Sequence, residues 1–385
     1  MKIAQIAPPW IPVPPRNYGG TEAIIAYLVE EQIAQGHDVT LFAPGDARTP
    51  ARHIAFYPSS LTEEGVPWPA HLKAFYHLYE AMQLIKGADF DIVHTHLSSA
   101  ADMYLFPLMQ GLRTPLVTTL HSRFPFDRVD SWVGDADQLY LKWLAPVPVV
   151  TVSESARANV PYALNFVGVV HLGIPTEHYC PNGKEREHFF VWLGRFVPEK
   201  GPHIAIEAAK RAQVPLVLAG TVAKDLRESR EYFERVIEPQ LDGERVKYIG
   251  PVNMEQKIDL LSRAHAFLNP IEWEEPGAVA IIETMALGCP IISFARGVAP
   301  ELIIHGQTGF LVHNLDEMVM YMSRIHEIDR EAACRHVQQN LSARAMSEKY
   351  VEIYRKVIEQ RQDIVGEQPG TGEKESDLDE GIVVG

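Results

Sequence analysis

The chain has 385 residues, of which 46% are hydrophobic, and its formal net charge is −15. This length and apolar content are enough for two α/β domains of ordinary size. The acidic balance argues against nucleic acid or an anionic membrane surface as a partner, although a few local cations can still hold a small anionic ligand. No apolar run reaches the length of a membrane span, and early prolines make the N-terminus unlike a signal peptide.

The cysteine pattern indicates a reducing compartment. The three cysteines lie far apart, and their spacing matches neither a metal site nor a disulfide framework (Cys180, Cys289 and Cys334). Because free thiols are typical of the cytosol, we expect a cytoplasmic protein.

Strand and helix patterns alternate from the first residues onward. An apolar strand, Lys2–Ile6, precedes a helix, Thr21–Gln35, which Gly36 closes. A helix that starts near Ser153 follows the last of the next predicted strands (Val39–Phe42, Ile92–His94, Leu116–Leu120 and Val149–Val152). This alternation is typical of a parallel sheet with crossover helices.

A second series of the same kind begins after Gly183. Its first strand, Phe189–Leu193, precedes a helix, Pro202–Arg211, whose proline fits the first helical turn. The pattern then continues through four further strands (Leu216–Ala219, Val246–Ile249, Ala266–Leu268 and Pro290–Phe294). Two successive series predict two Rossmann-like domains that face each other.

The domain boundary is predicted near His171–Asn182, a stretch with one glycine and two prolines. We assign residues 1–172 to the first domain and residues 183–344 to the second. Residues 364–385 are acidic, rich in glycine and poor in aromatics, which predicts a disordered tail.

The segment His53–Lys86 is rich in aromatic residues and has few strong turn signals. Together with Ser122–Gly134, it is predicted to be the least regular part of the first domain. Irregular segments of this kind often bind acceptors, but aromatic side chains packed in the core explain the composition equally well.

The most informative motif is a pair of glutamates eight positions apart, Glu275 and Glu283. A Pro-Gly turn follows the first, and an apolar helical run that ends at Gly288 carries the second. A helix that begins after Glu275 directs free backbone N–H groups towards a phosphate or a sugar oxygen. At 1.5 Å per residue the two carboxylates stand roughly 10 Å apart, which suits the two ends of a sugar nucleotide. Two exposed glutamates on an ordinary helix are the alternative interpretation.

Two cations, Arg195 and Lys200, follow the strand Phe189–Leu193. They are expected at the carboxyl edge of a parallel sheet, where open α/β folds bind ligands, and they suit a diphosphate. A solvated basic turn is the alternative. Gly19 and Gly20 precede the first helix, where bare backbone can approach a phosphate closely. They can also form a plain turn, and they do not match the dinucleotide fingerprint.

Three histidines fall on or next to predicted strands. His121 ends one strand, where a lone histidine is more often structural than catalytic. His94 and His96 lie on one face of an extended segment. That spacing can ligate a metal, but no carboxylate motif accompanies it, so we favour cleft lining or core for both.

The ordered set of motifs resembles glycosyltransferase family 4, whose members are retaining enzymes with the GT-B fold. The resemblance extends to about residue 360 and is carried, besides the two glutamates, by further stretches (Tyr18–Glu22, Gly36–Phe42, Asp91–His96, Thr119–His121, Val152–Glu154, Leu193–Arg195, Pro198–Gly201 and Gly306–Val312). It implies an α/β fold of two Rossmann-like parallel-sheet domains facing across a cleft. It also implies a C-terminal helix, residues 345–363, that crosses back onto the first domain.

The resemblance implies transfer of a hexosyl group from a nucleotide-diphosphate sugar to an acceptor hydroxyl. UDP-sugars are the preferred donors and GDP-mannose is the second choice. The diphosphate would leave from the face that the acceptor approaches, and a phosphate oxygen would take the acceptor proton. Configuration would then be retained without a protein nucleophile. No metal or other cofactor is expected, because cations and the helix dipole stabilise the leaving group.

The resemblance also assigns residues to roles. Cations hold the phosphates, one carboxylate and a histidine bind donor-sugar hydroxyls, and the other carboxylate binds the ribose. The implied catalytic residues come from both domains (Arg195, Lys200, Glu275 and His121). The implied donor-binding positions are mostly backbone (Gly19, Gly20, Gly277, Ala278, Val279 and Glu283).

Two places depart from the family pattern. Gly277-Ala278 stands where the family usually has Phe-Gly, and Leu172 replaces the usual Asn before Gly173. Ala278 adds a methyl group where the backbone normally approaches the ligand most closely, which bears on the preference for the donor sugar.

Three other functions are considered. A GT-B sugar-nucleotide epimerase would release free sugar from the donor alone, whereas a phosphorylase needs a pyridoxal-phosphate lysine, for which no sequence context is present. A non-catalytic sugar-nucleotide-binding protein is favoured by the Gly277-Ala278 departure and disfavoured by the retained charged residues. A dehydrogenase is disfavoured by the missing glycine fingerprint.

Overall fold

The computed structural model describes residues 1–366 apart from residues 17–18, 69, 100–101, 103, 110, 123–141, 143, 161, 180, 182–184 and 223–226. Most of the predicted tail, 364–385, lies outside the described residues, as does most of the predicted irregular segment Ser122–Gly134. Tyr18, Cys180, Asn182 and Gly183 also lie outside them.

The first sheet is parallel throughout its described strands, in the order β3-β2-β1-β4-β5-β6-β7. Its strands are β1 (Lys2–Ile6), β2 (Asp38–Phe42), β3 (Arg52–Ile54), β4 (Ile92–Leu97), β5 (Leu116–Leu120), β6 (Val149–Thr151) and β7 (Phe166–Val169). The described helices of this part are α1 (Gly20–Ala34), α2 (His71–Lys86), α3 (Leu105–Leu108) and α4 (Glu154–Ala158). The strand order reverses between β1 and β4, and this is where doubly wound sheets bind ligands.

Helices cover both faces of this sheet because successive strand residues point to opposite sides. Ile3 of β1 belongs to the apolar cluster that contains Ile24 and Leu28 of α1. Ala4, next in the strand, belongs to the cluster on the other face, with Leu78 of α2.

The second sheet repeats the arrangement, in the order β10-β9-β8-β11-β12-β13, again parallel. Its strands are β8 (Phe190–Arg195), β9 (Leu216–Thr221), β10 (Val246–Tyr248), β11 (Ala266–Asn269), β12 (Ile291–Phe294) and β13 (Gly309–Val312). The described helices around it are α5 (Pro202–Ala212), α6 (Arg227–Tyr232), α7 (Met254–Arg263), α8 (Val279–Ala286), α9 (Ala299–Leu302), α10 (Leu315–Met322) and α11 (Arg330–Asn340). The reversal of strand order falls between β8 and β11.

The chain passes between the two sheets twice, and the two passages are paired. Ile174 N–H donates to Leu341 O at 3.1 Å, and Ala343 N–H donates to Ile174 O at 2.7 Å. The second passage leads into α12 (Ala343–Gly366). This helix packs against α1, and its Arg361 donates to Leu112 O at 2.6 Å. The predicted fold class, including the helix that crosses back, is confirmed.

The exact domain boundary stays a prediction. The chain leaves the first sheet after Val169 and enters the second at Phe190, on either side of the predicted stretch His171–Asn182. No helix among the described residues is both long enough and apolar enough to span a membrane.

The second half of the segment predicted to be irregular is a helix, so that prediction is wrong for α2. Its buried residues recur at helical spacing and pack onto the first sheet (Ala74, Leu78, Ala81, Met82 and Ile85). Exposed aromatic residues such as Tyr76 and Tyr79 lie between them and obscure this period in the sequence.

Candidate functional site

Two residues of the predicted catalytic set meet at the carboxyl edge of the second sheet. Lys200 lies in the short turn after β8, and its ammonium group forms an ion pair with Glu275, which lies between β11 and α8. The indole Nε1 of Trp273 donates to the same carboxylate oxygen at 3.1 Å. Lys200 Nζ also lies 5.6 Å from the centre of the Trp273 ring. A fixed cation and a fixed anion therefore stand side by side where the strand order reverses.

Glycine residues allow the two loops to approach each other this closely. Gly201 has φ 65°, and a Cβ there would overlap the carbonyl oxygen of Pro270, the residue after β11. Gly297 has φ 56°, and a Cβ there would overlap the backbone of Glu275. A side chain at either position would push Lys200 and Glu275 out of place.

Arg195 is the last residue of β8 and is half-buried, opposite Thr221 of β9. It lies at the same sheet edge as Lys200, as the sequence predicts. The proposed contact of Arg195 with a diphosphate stays a prediction.

Glu283 lies in a buried cluster, not on an open surface. Its Oε1 accepts a hydrogen bond from the Tyr179 hydroxyl at 2.6 Å and forms an ion pair with Lys257 of α7. Tyr179 is also hydrogen-bonded to Tyr27 of α1, so the cluster joins the two domains. Burial, the charge of Glu283 and the neighbouring Tyr27 together raise the pKa of Tyr179, which keeps its hydroxyl protonated. The sequence showed neither Tyr179 nor Lys257 as a partner, because both come from distant segments.

The chain between the two glutamates contacts the first domain. Ser153 caps α4 by accepting from Ala156 N–H at 3.0 Å, and its hydroxyl donates to Pro276 O at 2.7 Å. A Cβ on Gly277 would lie 2.8 Å from Leu172 Cδ1. The two departures from the family pattern are therefore in contact, since Leu172 occupies the space that a side chain at position 277 would need. Ala278 precedes α8 as its N-cap, and Val279 is the first helical residue.

A second contact between the domains involves Glu301 of α9. Its carboxylate accepts from the backbone N–H groups of Glu154 and Ser155, at the start of α4, at 2.8 and 2.7 Å. It also lies 2.8 Å from His171 Nε2. Burial alone would raise the pKa of Glu301, but the hydrogen bonds from His171 and the two amides lower it.

The predicted glycines lie where the loop before α1 enters the helix, with Gly19 as the N-cap and Gly20 as the first helical residue. Gly19 is tightly enclosed, since a Cβ there would lie 2.8 Å from Pro15 and 2.9 Å from Glu22 Oε2, whereas Gly20 faces open space. The backbone at Gly20 is thus accessible to a ligand.

Two buried carboxylic acids beside this loop were not singled out from the sequence. Glu22 is 4% exposed, and burial raises its pKa to about 7, with Asp102 contributing. Asp102 is 1% exposed, accepts from Ser98 and Ser99 N–H at 2.9 and 2.8 Å, and has its pKa raised by burial to about 6. Glu22 stands in the motif Tyr18–Glu22, which was the available signal.

The three predicted histidines lie together, and two of them, His96 and His121, share a hydrogen bond. His121, just after β5, is half-buried, and its Nε2 lies 2.8 Å from His96 Nδ1. His94 and His96 are 0% and 3% exposed, so of the two predicted locations, cleft lining or core, both occupy the core. Burial lowers the pKa of His121 to about 3, so this ring is neutral at physiological pH.

Among the residues that the structure describes, no group of three or more His, Cys, Asp or Glu side chains is arranged to hold a metal ion. Cys289 and Cys334, the two cysteines within the described part, are free thiols.

Two family models match successive parts of the chain. The model described as Glycosyltransferase Family 4 matches residues 18–178, and the model described as Glycosyl transferases group 1 matches residues 177–339. The first match contains every strand of the first sheet except β1, and the second contains the second sheet with Lys200, Glu275 and Glu283.

Curated relatives are similar over most of their length. Spore coat protein SA of Bacillus subtilis is 24% identical over 353 residues, which span 85% of this chain and 90% of the relative. D-inositol 3-phosphate glycosyltransferase of Streptomyces coelicolor is 26% identical over 364 residues, which span 77% of each chain.

Solved structures share the fold. AviGT4, a glycosyltransferase involved in avilamycin A biosynthesis, superimposes with a TM-score of 0.65 and 24% identity over 93% of this chain and 98% of its own. Sucrose-phosphate synthase of Thermosynechococcus elongatus gives 0.72 and 20%, covering 93% and 99%. Anabaena HepE in complex with UDP and glucose gives 0.66 and 17%, covering 91% and 98%. The paired sheets, the motif order and these matches together identify the chain as a member of glycosyltransferase family 4, a transferase with the GT-B fold.

Proposed function

We propose that the protein transfers a hexosyl group, with retention of configuration, from a nucleoside diphosphate sugar to an acceptor hydroxyl in the cleft between the two sheets. The observation that carries this proposal is the ion pair between Lys200 and Glu275 at the reversal point of the second sheet. Open α/β sheets bind ligands at that point, and a cation there suits a diphosphate.

The second domain would bind the donor. Lys200 and Arg195 neutralise the diphosphate, and their charges become more important as the bond from the sugar to the phosphate breaks. Glu275, held by Trp273, accepts hydrogen bonds from sugar hydroxyls. Tyr179 donates to Oε1 of Glu283, and the second carboxylate oxygen of Glu283 binds the ribose. UDP is the favoured nucleotide, since the similar HepE structure contains UDP, and GDP-mannose is the second choice.

The first domain would bind the acceptor. The acceptor oxygen forms the new bond to the anomeric carbon on the face from which the phosphate oxygen departs, and its proton passes to that oxygen. The products are the glycoside and the nucleoside diphosphate. Because Glu275 is paired with Lys200, its carboxylate accepts hydrogen bonds from sugar hydroxyls and does not act as a nucleophile. We propose that the side-chain cations of Lys200 and Arg195 take the place of a metal ion, and that the enzyme is cytoplasmic and metal-independent.

Thermal unfolding with UDP, GDP, ADP and their sugar conjugates tests the donor site. A ligand at 100 times its Kd adds about 2.7 kcal/mol to the free energy of unfolding. Stabilisation by one nucleotide class is the expected result, and it identifies the donor for an acceptor screen. No stabilisation by any of them contradicts a working donor site.

Product analysis tests the reaction itself. Incubation with donor alone should leave the donor largely intact, whereas release of free sugar indicates an epimerase. Transfer should need an added acceptor, and NMR of the product should show the anomeric configuration of the donor. Binding without transfer to any acceptor favours a non-catalytic binding protein.

A further inference from the structure

A chain of buried hydrogen bonds starts at His121 and leads into the core of the first domain. His121 Nε2 lies 2.8 Å from His96 Nδ1, and His96 Nε2 lies 2.8 Å from Gln5 Oε1. The carboxamide nitrogen of Gln5 donates to Gln32 Oε1 at 2.9 Å and to the Tyr354 hydroxyl at 3.3 Å. Gln5, Gln32 and Tyr354 are fully buried, so these groups must satisfy one another.

Tyr354 belongs to α12, the helix that crosses back from the second domain, and its hydroxyl has three partners. It accepts from Gln5 Nε2 and, at 3.1 Å, from Gln32 Nε2. His94 Nδ1 lies 2.6 Å away. A hydroxyl has one proton and two lone pairs, so this hydroxyl donates to His94 and every one of its contacts is satisfied.

The single proton of Tyr354 determines the direction of the whole chain. If Gln5 turned its amide nitrogen towards His96, Gln32 would have to turn as well, to avoid two oxygens in contact. The Tyr354 hydroxyl would then face two carboxamide oxygens with one proton. One of these buried contacts would be left without a hydrogen bond, which is costly. Gln5 therefore presents its oxygen to His96.

This direction fixes the protonated nitrogen of each ring. His96 donates through Nε2 to the Gln5 oxygen, so its Nδ1 is an acceptor. His121 must then donate through Nε2, which leaves its Nδ1 without a proton. Burial lowers the pKa of His94, His96 and His121, so each ring holds one proton, as this assignment requires. No described residue is hydrogen-bonded to His121 Nδ1.

We propose that Gln5 and Tyr354 are positioning residues that hold His121 in the Nε2–H form, so that its Nδ1 accepts a hydrogen bond from a hydroxyl of the donor sugar. The contact of His121 with the donor is implied by the family resemblance and rests on the proposed function, whereas the protonation state of the ring does not. The helix α12 thus acts on the donor contact without touching the ligand.

The experiment is ¹⁵N NMR of histidine-labelled protein, which distinguishes the two neutral forms of each ring. The His121 signals are assigned by comparison with His121→Asn. The wild type should show His121 with an unprotonated Nδ1. In Tyr354→Phe both orientations of the Gln5 carboxamide become similar in energy. The His121 ring should then be a mixture of the Nε2–H and Nδ1–H forms. If the two forms are equally populated and exchange rapidly, the apparent Kd of the donor should rise about twofold, because half of the free enzyme is competent to bind, with a smaller change in kcat.

Two further variants separate this role from a loss of packing. Tyr350→Phe is the matched control, since Tyr350 lies on the same helix, is 1% exposed and bonds to Thr119 at 3.0 Å, beyond His94. It should leave the His121 signals unchanged. Gln5→Met removes the carboxamide directly and should give the mixture even if Tyr354→Phe folds poorly.

Two outcomes overturn the proposal. One is a protonated Nδ1 of His121 in the wild type, and the other is a single Nε2–H form in both Tyr354→Phe and Gln5→Met. If the ring behaves as expected but the protein binds no nucleotide sugar, the assignment of the ring stands and the proposed function fails.

Discussion

The two sheets share one topology but differ in the chemistry of their carboxyl edges. The edge of the second sheet carries ionised groups in pairs, Lys200 with Glu275 and Lys257 with Glu283. The edge of the first sheet carries groups whose neutral form burial favours, with the pKa of Glu22 raised to about 7 and that of His121 lowered to about 3. The repeated fold therefore provides the location of a site, while the side chains decide what each site can bind. Fixed charges suit a diphosphate, and neutral hydrogen-bonding groups suit hydroxyls.

The largest effect is expected from removing Lys200, the cation at the carboxyl edge of the second sheet. Lys200→Ala leaves Glu275 without its ion-pair partner and takes a positive charge away from the leaving group. Transfer should fall by about a thousandfold or more, which corresponds to ~4 kcal/mol of transition-state stabilisation. Initial rates at saturating donor and acceptor measure this change.

The matched control for that variant is Lys210→Ala. Lys210 lies on α5 of the same domain and is exposed. Its loss should leave the rate within about twofold, since it is far along the helix from the sheet edge. Turnover of Lys200→Ala at the wild-type rate would remove Lys200 from the mechanism.

Glu22→Gln tests whether burial favours neutral groups at the carboxyl edge of the first sheet. The pKa of Glu22 is raised from 4.5 to about 7 in the folded state, so the folded protein binds a proton that the unfolded chain releases. The contribution of Glu22 to stability therefore falls as pH rises from 4.5 to 7 and is constant above that range. An uncharged amide avoids this loss, so the variant should be more stable than the wild type at pH 8 by about 3 kcal/mol.

Urea unfolding at several pH values measures the gain. Near pH 4 both the wild-type carboxyl and the amide are neutral, so the difference between the proteins should nearly vanish there, and the variant is its own control. A variant that is less stable than the wild type at pH 8 would mean that the Glu22 carboxylate has a favourable partner, and the contrast between the two edges would fail.

The contact between the two edges is tested at Gly277. Phenylalanine, the residue usual in the family, would overlap Leu172, because a Cβ at position 277 already lies 2.8 Å from Leu172 Cδ1. Gly277→Phe should lower the free energy of unfolding by about 1–3 kcal/mol through overpacking. Gly277→Phe combined with Leu172→Asn should recover at least ~1 kcal/mol of it, measured as a double-mutant cycle. Strictly additive effects of the two substitutions would show that the two departures are independent.

The parts of the fold that could be predicted are those that local sequence patterns record. The strands alternate with helices at a spacing typical of a parallel sheet, so both sheets could be predicted, whereas the crossing helix was implied by the family resemblance. The position of Arg195 and Lys200 at the carboxyl edge of the sheet also followed, because the end of the strand defines that edge, whereas the pairing of Lys200 with Glu275 was not predicted. Helix α2 was missed, since the exposed Tyr76 and Tyr79 hide its buried period.

Side-chain contacts between residues far apart in the sequence could not be predicted from local patterns. Tyr179 and Lys257 reach Glu283 from 104 and 26 residues away, and no local spacing records that. The link from His94 to Tyr354 spans 260 residues. Burial also depends on tertiary packing, so the raised pKa of Glu22 could not be predicted although its motif had been recognised.

The smallest effect is expected at Glu301, where a charge of the second domain caps a helix of the first. Glu301→Gln keeps one acceptor oxygen but removes the charge that faces the Glu154 and Ser155 amides and His171. At pH 7 the variant should lose about 1 kcal/mol of stability. The pKa of Glu301 is lowered in the folded state, so its contribution is present above pH 4.5 and is lost as pH falls through the folded pKa. Urea unfolding should therefore show the deficit shrinking in acid, whereas the gain of Glu22→Gln grows towards alkaline pH. If the loss of stability in Glu301→Gln stays constant from pH 7 to pH 3, Glu301 contributes through packing and not through its charge. The contrast between a carboxyl group with a lowered pKa, Glu301, and one with a raised pKa, Glu22, would then fail.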